Sequence, residues 1–418
     1  MYVGHFNSKG EPCKAPNKGW AGAGPSSAGH ERATSFIRLN THVDDCCCVY
    51  DNEEVYHKFK GELEVRLKAA SNSDQPVLSQ SDDNDVYLGI TVERVGKNTI
   101  KLCQARYVDD ILNAFRMYDC KPRRTPFVSG LKLSKDLEAK TKEDYVFMKG
   151  KEMRKLVGML LHLQRCTRPD ISAAVVTLAR FQINPGPKHW NWGMNILKYL
   201  KGTRDHGIIY GKANIGNKDH VQYVPLTMYH DSDWGGDIDD RKSQTGWVSF
   251  TFGGPINWTS TKQQCVAQSS CEAEYIAANE ACKESIWSIR LLEDLGYTAG
   301  QLRAAQHSSH LSNGEFRTAH YLRDFPNEQE KAGATPLTQF CDSTAAISNT
   351  VNTGRDHRRM KHIEIRYHYV RDQVQAGRIR VAKVHTDDNV SDILTKPIKI
   401  EAFVRHRDSL VRELLPGA

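Results

Sequence analysis

A mixed α/β sheet with packed helices is the fold class that residues 220–400 predict, and three features predict it. Three short runs rich in β-branched and aromatic residues come first, at 226–230, 246–252 and 256–260. A long helical stretch follows at 270–295. Strand-like and helical segments then alternate through 337–341, 343–349, 362–376 and 379–385, with a short helix from 390. Consecutive strands, one long helix and then an alternation suit a single sheet with helices on it better than a bundle or a sandwich.

The upstream part reads as α+β. Residues 1–40 are left unassigned: Gly, Pro and Ser punctuate 1–34 without any sustained period, and we expect that stretch to be disordered. Residues 35–40 and 46–50 read as strands on either side of the acidic turn His42-Val43-Asp44-Asp45. Val55, Phe59, Leu63 and Leu67 recur every four residues and give 52–67 one apolar helical face. The Ser/Asp/Asn-rich stretch 69–85 is a loop, and 87–92 and 99–102 form a hairpin through Gly96-Lys97-Asn98. Helices are expected over 105–116, 152–164, 171–181 and 189–200. A polar stretch at 212–219 marks a domain boundary, separating 41–210 from 220–400. Residues 299–334 form a polar insertion longer than a compact domain usually carries without function or disorder.

Composition narrows the function classes. With 39% hydrophobic residues the 418-residue chain has enough apolar material for a core, and no run approaches the roughly 20 needed to span a bilayer. The first residues lack the apolar centre of a signal peptide, so an intracellular chain, cytoplasmic or nuclear, is expected rather than a secreted one. Lys and Arg total 57 against 50 Asp and Glu; the net charge of +7 is compatible with a polyanionic partner. The 11 cysteines, including Cys46-Cys47-Cys48, make no paired Cys-x-x-Cys framework and read as free thiols, mostly small buried hydrophobes.

The acidic residues of the second part carry the chemistry. Asp231 follows the first strand, Glu274 lies in the first turns of the long helix, Asp342 closes the fourth strand and Asp392 opens the last helix. Each sits at an element end beside apolar residues. Taken singly, such an Asp suits a helix cap or a strand end. Four of them on one sheet edge would repel unless cations neutralised them, and oxygen-only ligands suit Mg²⁺ or Mn²⁺.

Several strings then share one resemblance. Asp231-Ser232-Asp233-Trp234-Gly235-Gly236-Asp237, Gly253-Gly254-Pro255-Ile256-Asn257-Trp258, Gln268-Ser269-Ser270-Cys271-Glu272-Ala273-Glu274-Tyr275, Lys361-His362-Ile363-Glu364 and Ser391-Asp392-Ile393-Leu394-Thr395-Lys396-Pro397 resemble, in order, the ribonuclease H domain of copia-type retrotransposon Pol polyproteins. Upstream, His42-Val43-Asp44-Asp45 is similar to the Tyr-Val-Asp-Asp turn of a reverse transcriptase palm, with His in place of Tyr. Tyr87-Leu88-Gly89-Ile90, Asp119-Cys120-Lys121-Pro122, Cys166-Thr167-Arg168-Pro169-Asp170-Ile171 and Tyr199-Leu200-Lys201-Gly202-Thr203 look like the segments that follow that turn.

The resemblance implies a ribonuclease H-like fold over 220–400 behind a truncated palm, thumb and connection region over 41–210. It implies two-metal hydrolysis of the RNA strand of RNA/DNA hybrids, with Asp231, Glu274, Asp342 and Asp392 as catalytic metal ligands for Mg²⁺ or Mn²⁺. Asp233 and Glu272 rank below them. Arg358, Arg359, Lys361, His362 and Arg366 are the expected contacts to the hybrid's phosphates. Asp44 and Asp45 stand as polymerase relics: polymerase chemistry needs a further Asp on an earlier palm strand, and none precedes them here. A nuclease is therefore the leading expectation, a decayed or purely nucleic-acid-binding retroelement fragment the alternative, and a working polymerase the weakest.

Overall fold

The computed structural model describes residues 2–6, 12–13, 35–42, 45–71, 86–96, 99–128, 130–211, 226–297, 337–351 and 364–413. The chain divides into two compact units, Met1–Leu88 and Gly89–Ala418. In the first, β1 (Tyr2–Phe6), β2 (Pro12–Cys13), β3 (Ser35–His42) and β4 (Asp45–Tyr50) form an antiparallel sheet in the order β2-β1-β3-β4. Helix α1 (Glu53–Ser71) brings Val55 and Phe59 against Ile37 and Cys48, and a short β5 (Val86–Tyr87) follows. The expectation of disorder fails at β1 and β2. Tyr2 to Phe6 pair with Ser35 to Leu39 through main-chain hydrogen bonds, which need no side-chain period and so leave none to read. Asp44 lies outside the described residues, and Asp45 opens β4 opposite His42.

In the second unit, β6 (Ile90–Gly96) and β7 (Thr99–Cys103) form the expected hairpin, with residues 97–98 outside the described set. β8 (Ile208–Gly211) adds to β7; its four residues were too few to show a pattern. Helices α2 (Ala105–Ala114), α3 (Lys142–Met148), α4 (Met153–Cys166), α5 (Ser172–Ala179) and α6 (Pro187–Gly202) follow. Met153, Leu156, Val157, Leu160 and Leu163 make the buried stripe of α4 at three- and four-residue spacing. The short α3, absent from the sequence-based expectation, is fixed by a capping box: Thr141 Oγ1 accepts from Asp144 N, and the Asp144 carboxylate accepts from Thr141 N, both at 3.1 Å.

The major sheet contains β9 (Thr227–Asp233), β10 (Gln244–Thr251), β11 (Gly254–Lys262), β12 (Leu337–Cys341) and β13 (Ile379–Lys383). Their order is β11-β10-β9-β12-β13; the first three are antiparallel neighbours, while β9, β12 and β13 run parallel. This is the ribonuclease H-like mixed sheet that the motifs implied. Helix α7 (Ser270–Asp294) covers one face, and its buried Ala273, Ala277, Ala278 and Ala281 allow it to lie close to the strands. α8 (Thr344–Val351), α9 (Glu364–Gln375) and α10 (Ile400–Leu410) complete the unit.

The expected division at 210–220 differs from the observed one, because one core runs through both regions. Leu156, Trp192 and Leu200 of the helices pack in the same apolar cluster as Tyr229, Val248, Ile393 and Phe403. The linker at 212–219 and the insertion at 299–334 lie outside the described residues. No helix among the described residues is long and apolar enough to cross a membrane.

Two of the motif strings meet inside this unit. Arg168 and Asp170 are almost wholly buried and form a bidentate pair, Nε to Oδ1 at 2.9 Å and Nη2 to Oδ2 at 2.7 Å. Tyr199 donates to Asp170 Oδ2 at 2.5 Å, and Arg168 donates to the Thr203 carbonyl at 2.9 Å and hydroxyl at 2.6 Å. Burial alone would raise the Asp170 pKa, but Arg168 and Tyr199 outweigh it and hold the carboxyl below its ordinary value. This centre ties the start of α5 to the end of α6.

Candidate active site

Strand register brings the first two carboxylates together. β9 and β12 run parallel with Phe340 opposite Tyr229, so Asp231 and Asp342 stand two residues further along adjacent strands. On its other side Asp231 pairs with Gly246 of β10. A Cβ at Gly246 would lie 2.6 Å from Thr395 Cγ2 and 2.8 Å from Leu394 Cβ. Glycine is therefore what lets the 3-10 turn Val390–Leu394 lie against the strand and deliver Asp392. Asn389 fastens that turn: its Nδ2 donates to the His230 carbonyl at 3.2 Å, and its Oδ1 accepts from Ser391 Oγ at 2.6 Å.

Asp231, Asp342 and Asp392 each offer a carboxylate oxygen, and these oxygens lie within 4.8 Å of one another. Asp231 and Asp392 are buried and Asp342 half-buried. Glu274 approaches from α7, where its Oε1 accepts from Ser232 N at 3.2 Å. It is not one of the close trio; its carboxyl clusters instead with His230 and Cys341. Burial pushes the Glu274 pKa well up, and the charges of Asp231 and Asp342 push it further. Burial and then Asp231 likewise raise Asp342. Asp392 is pushed up to about 7 by burial and Asp231, against the opposing pull of Lys396.

Lys396 is the one cation seen to pair with this trio among the described residues. Its Nζ lies 3.1 Å from Asp231 Oδ2 and 3.0 Å from Asp392 Oδ1, and Thr395 Oγ1 donates to Asp231 Oδ2 at 2.5 Å. One ammonium does not balance three carboxylates; burial first, and then the charge of Asp231, raise Asp342 and Asp392. A buried, oxygen-only set with surplus negative charge fits a hard divalent cation.

The lower-ranked acids have other places. Glu272 accepts from Gln268 N at 2.7 Å while Ser269 Oγ accepts from Glu272 N at 3.2 Å, so it caps α7. Asp233 ends β9, its pKa raised by burial. Arg358, Arg359, Lys361 and His362 lie outside the described residues, and Arg366 falls on α9. Trp247 is buried and Trp258 half-buried, its Nε1 donating to the Gln164 carbonyl at 2.8 Å, so both pack in the interior. Sequence reasoning missed Gly246, Asn389 and Lys396. Only Lys396 carried a signal, standing four residues after Asp392 on what becomes a helical turn.

No family model matches the chain. It is 35% identical over 384 residues to the retrovirus-related Pol polyprotein from transposon TNT 1-94 of Nicotiana tabacum, covering 91% of this chain and 24% of that one. Over about nine tenths of its own length the chain resembles the retrovirus-related Pol polyproteins of transposons. A second relative of this family, from transposon RE2 of Arabidopsis thaliana, is 33% identical over 373 residues, or 89% of this chain and 22% of that one. The chain spans about a quarter of the length of the curated relatives it matches. Among solved structures, the N-terminal ribonuclease H domain of a Mycobacterium tuberculosis protein, fused to maltose-binding protein, aligns with a TM-score of 0.25 and 13% identity, covering 44% of this chain and 98% of that one. That score is too low to carry the fold, which rests on the strand order above.

Proposed function

We propose that this chain is a retrotransposon-derived ribonuclease H of the copia type, which hydrolyses the RNA strand of RNA/DNA hybrids. The observation that carries the reading is the buried trio Asp231, Asp342 and Asp392, whose carboxylate oxygens lie within 4.8 Å with one lysine to offset them. These three and Glu274 would hold Mg²⁺ or Mn²⁺, in the two-ion arrangement that the motif order implies. When bound, the cations supply Lewis acidity that activates water and stabilises the leaving oxygen of a phosphodiester.

The chain's own groups prepare that chemistry. Asp231 offers an oxygen within 4.8 Å of those of Asp342 and Asp392 and is held by Thr395 and Lys396. Lys396 neutralises part of the charge, and cations held by Asp231 and Asp392 would compete with its ammonium for those oxygens. Burial and Asp231 push the Asp392 carboxyl up to about 7 without metal, and a bound cation would bring it down again. The basic segment Arg358, Arg359, Lys361, His362 and Arg366 follows Asp342 in sequence and would track the phosphates of the hybrid.

The test uses the full chain, Mg²⁺ and an end-labelled RNA/DNA hybrid, beside Asp342→Asn. The reading requires RNA-strand cleavage that falls at least about a hundredfold in the variant, the scale of losing a charge-stabilising group. A folded wild-type chain that binds the hybrid and leaves it intact would favour the binding-only alternative instead.

A further inference from the structure

Behind the acidic trio, on the α7 face of the same two strands, lies a second cluster of different chemistry. His230 Nδ1 or Nε2, Cys341 Sγ and a Glu274 carboxylate oxygen all lie within 4.8 Å of one another. His230 and Cys341 are fully buried and Glu274 nearly so. Alternation along β9 and β12 explains the arrangement: His230 and Cys341 immediately precede Asp231 and Asp342 and therefore point to the opposite face.

Two further facts indicate that this pocket is built for a ligand. Both ring nitrogens of His230 are buried without a hydrogen-bond partner, and so is the Ser232 hydroxyl two residues along the same face. Leaving such groups unsatisfied in a packed interior costs about 1–3 kcal/mol each. Cys341 Sγ stands 4.0 Å from Glu274 Oε2. A tetrahedral zinc ion bonded at about 2.3 Å to sulfur and about 2.1 Å to oxygen holds those two atoms about 3.6 Å apart. Closing the cluster onto one ion thus needs shifts of only tenths of an ångström between these two atoms.

The geometry points to a zinc-class site made by His230, Cys341 and Glu274, with Ser232 or water as the fourth neighbour. Imidazole, thiolate and carboxylate together select zinc or another thiophilic divalent ion over Mg²⁺, which prefers oxygen alone. Glu274 is also a proposed Mg²⁺ ligand, so zinc would hold it beside His230 and Cys341 and lower nuclease activity. The inhibition rests on the proposed nuclease reading; the binding does not.

The test loads the full chain with Co²⁺ as a spectroscopic stand-in for zinc. A sulfur-to-cobalt charge-transfer band is expected, abolished by Zn²⁺ and absent in Cys341→Ser. His230→Gln should weaken zinc binding at least tenfold in competition with a chromophoric chelator. Since either variant disturbs a buried site, the unmodified chain supplies a second reading: Zn²⁺ should slow alkylation of Cys341, followed by peptide mass, relative to the exposed Cys46, Cys47 and Cys265. A band that survives in Cys341→Ser, or unchanged alkylation of Cys341, would overturn the site whether or not the chain is a nuclease. Zinc held at Cys341 with hybrid cleavage unchanged would overturn the sharing of Glu274 while leaving the nuclease reading standing.

Discussion

Among the described residues, two buried acidic centres are treated in opposite ways. Asp170 is held by Arg168 and Tyr199, and its carboxyl lies below its ordinary value. Asp342 and Asp392 are enclosed with Asp231, and theirs are raised. The contrast is one of compensation rather than depth. Where an Arg forms two parallel hydrogen bonds and a phenol a third, the charge is part of the architecture. Where like charges converge with one lysine between them, the site is left short of positive charge, and a cation is the simplest remedy.

The largest expected effect separates the two centres by stability. Asp170→Asn leaves Arg168 buried without its counter-ion and should lower unfolding free energy by about 3–5 kcal/mol, read by denaturant titration. Asp342→Asn removes a repulsion and should cost less than about 1 kcal/mol in metal-free buffer, or stabilise. Equal losses in the two variants would break the comparison.

Acidity should sharpen it further, because the two centres have opposite signs. Asp392 has a folded pKa near 7, well above its unfolded value, so its contribution is present below about pH 4 and is lost as pH rises toward and through 7. Asp170 has a lowered folded pKa, so its contribution is present above about pH 4 and is lost on acidification through the folded value. Metal-free thermal unfolding of Asp392→Asn should therefore decline less between pH 5 and 8 than that of the unmodified chain. A parallel decline would mean that Asp392 is not the titrating group.

Divalent cation should act where the charge is uncompensated. Millimolar Mg²⁺ is expected to raise the unfolding temperature at pH 8 and much less at pH 5, where protons already occupy the carboxylates. The smallest effect concerns Lys396. Replacing it by Met removes the internal competitor, and Mg²⁺ should then bind severalfold more tightly. Unchanged affinity would mean that cations enter without displacing the ammonium.

Much of the ribonuclease H-like sheet was legible from residues alone. β12 was expected over 337–341 and is found there, and α7 departs from its expected range by one residue at its end. Alternation and apolar periodicity write such elements into local sequence. The four acids were also legible, although Asp231 falls inside β9 rather than after it, because its pairing with Gly246 carries the ladder on to Asp233. The split that puts Glu274 with His230 and Cys341 was not legible. That split depends on which face of β9 and β12 each side chain takes, and on how α7 seats over them. Asn389 reaches the His230 carbonyl across 159 positions, and Gly246 matters only because residue 394 packs on it; neither leaves a local trace. The β1–β3 pairing is likewise a main-chain event between distant segments.

The most direct test of the uncompensated trio is calorimetric titration of Mg²⁺ into the full-length chain and into Asp231→Asn at pH 8. Saturable binding by the unmodified chain, lost or weakened at least tenfold in the variant, is the predicted result. A folded chain that binds no Mg²⁺, or a variant that binds as well as its parent, would contradict it.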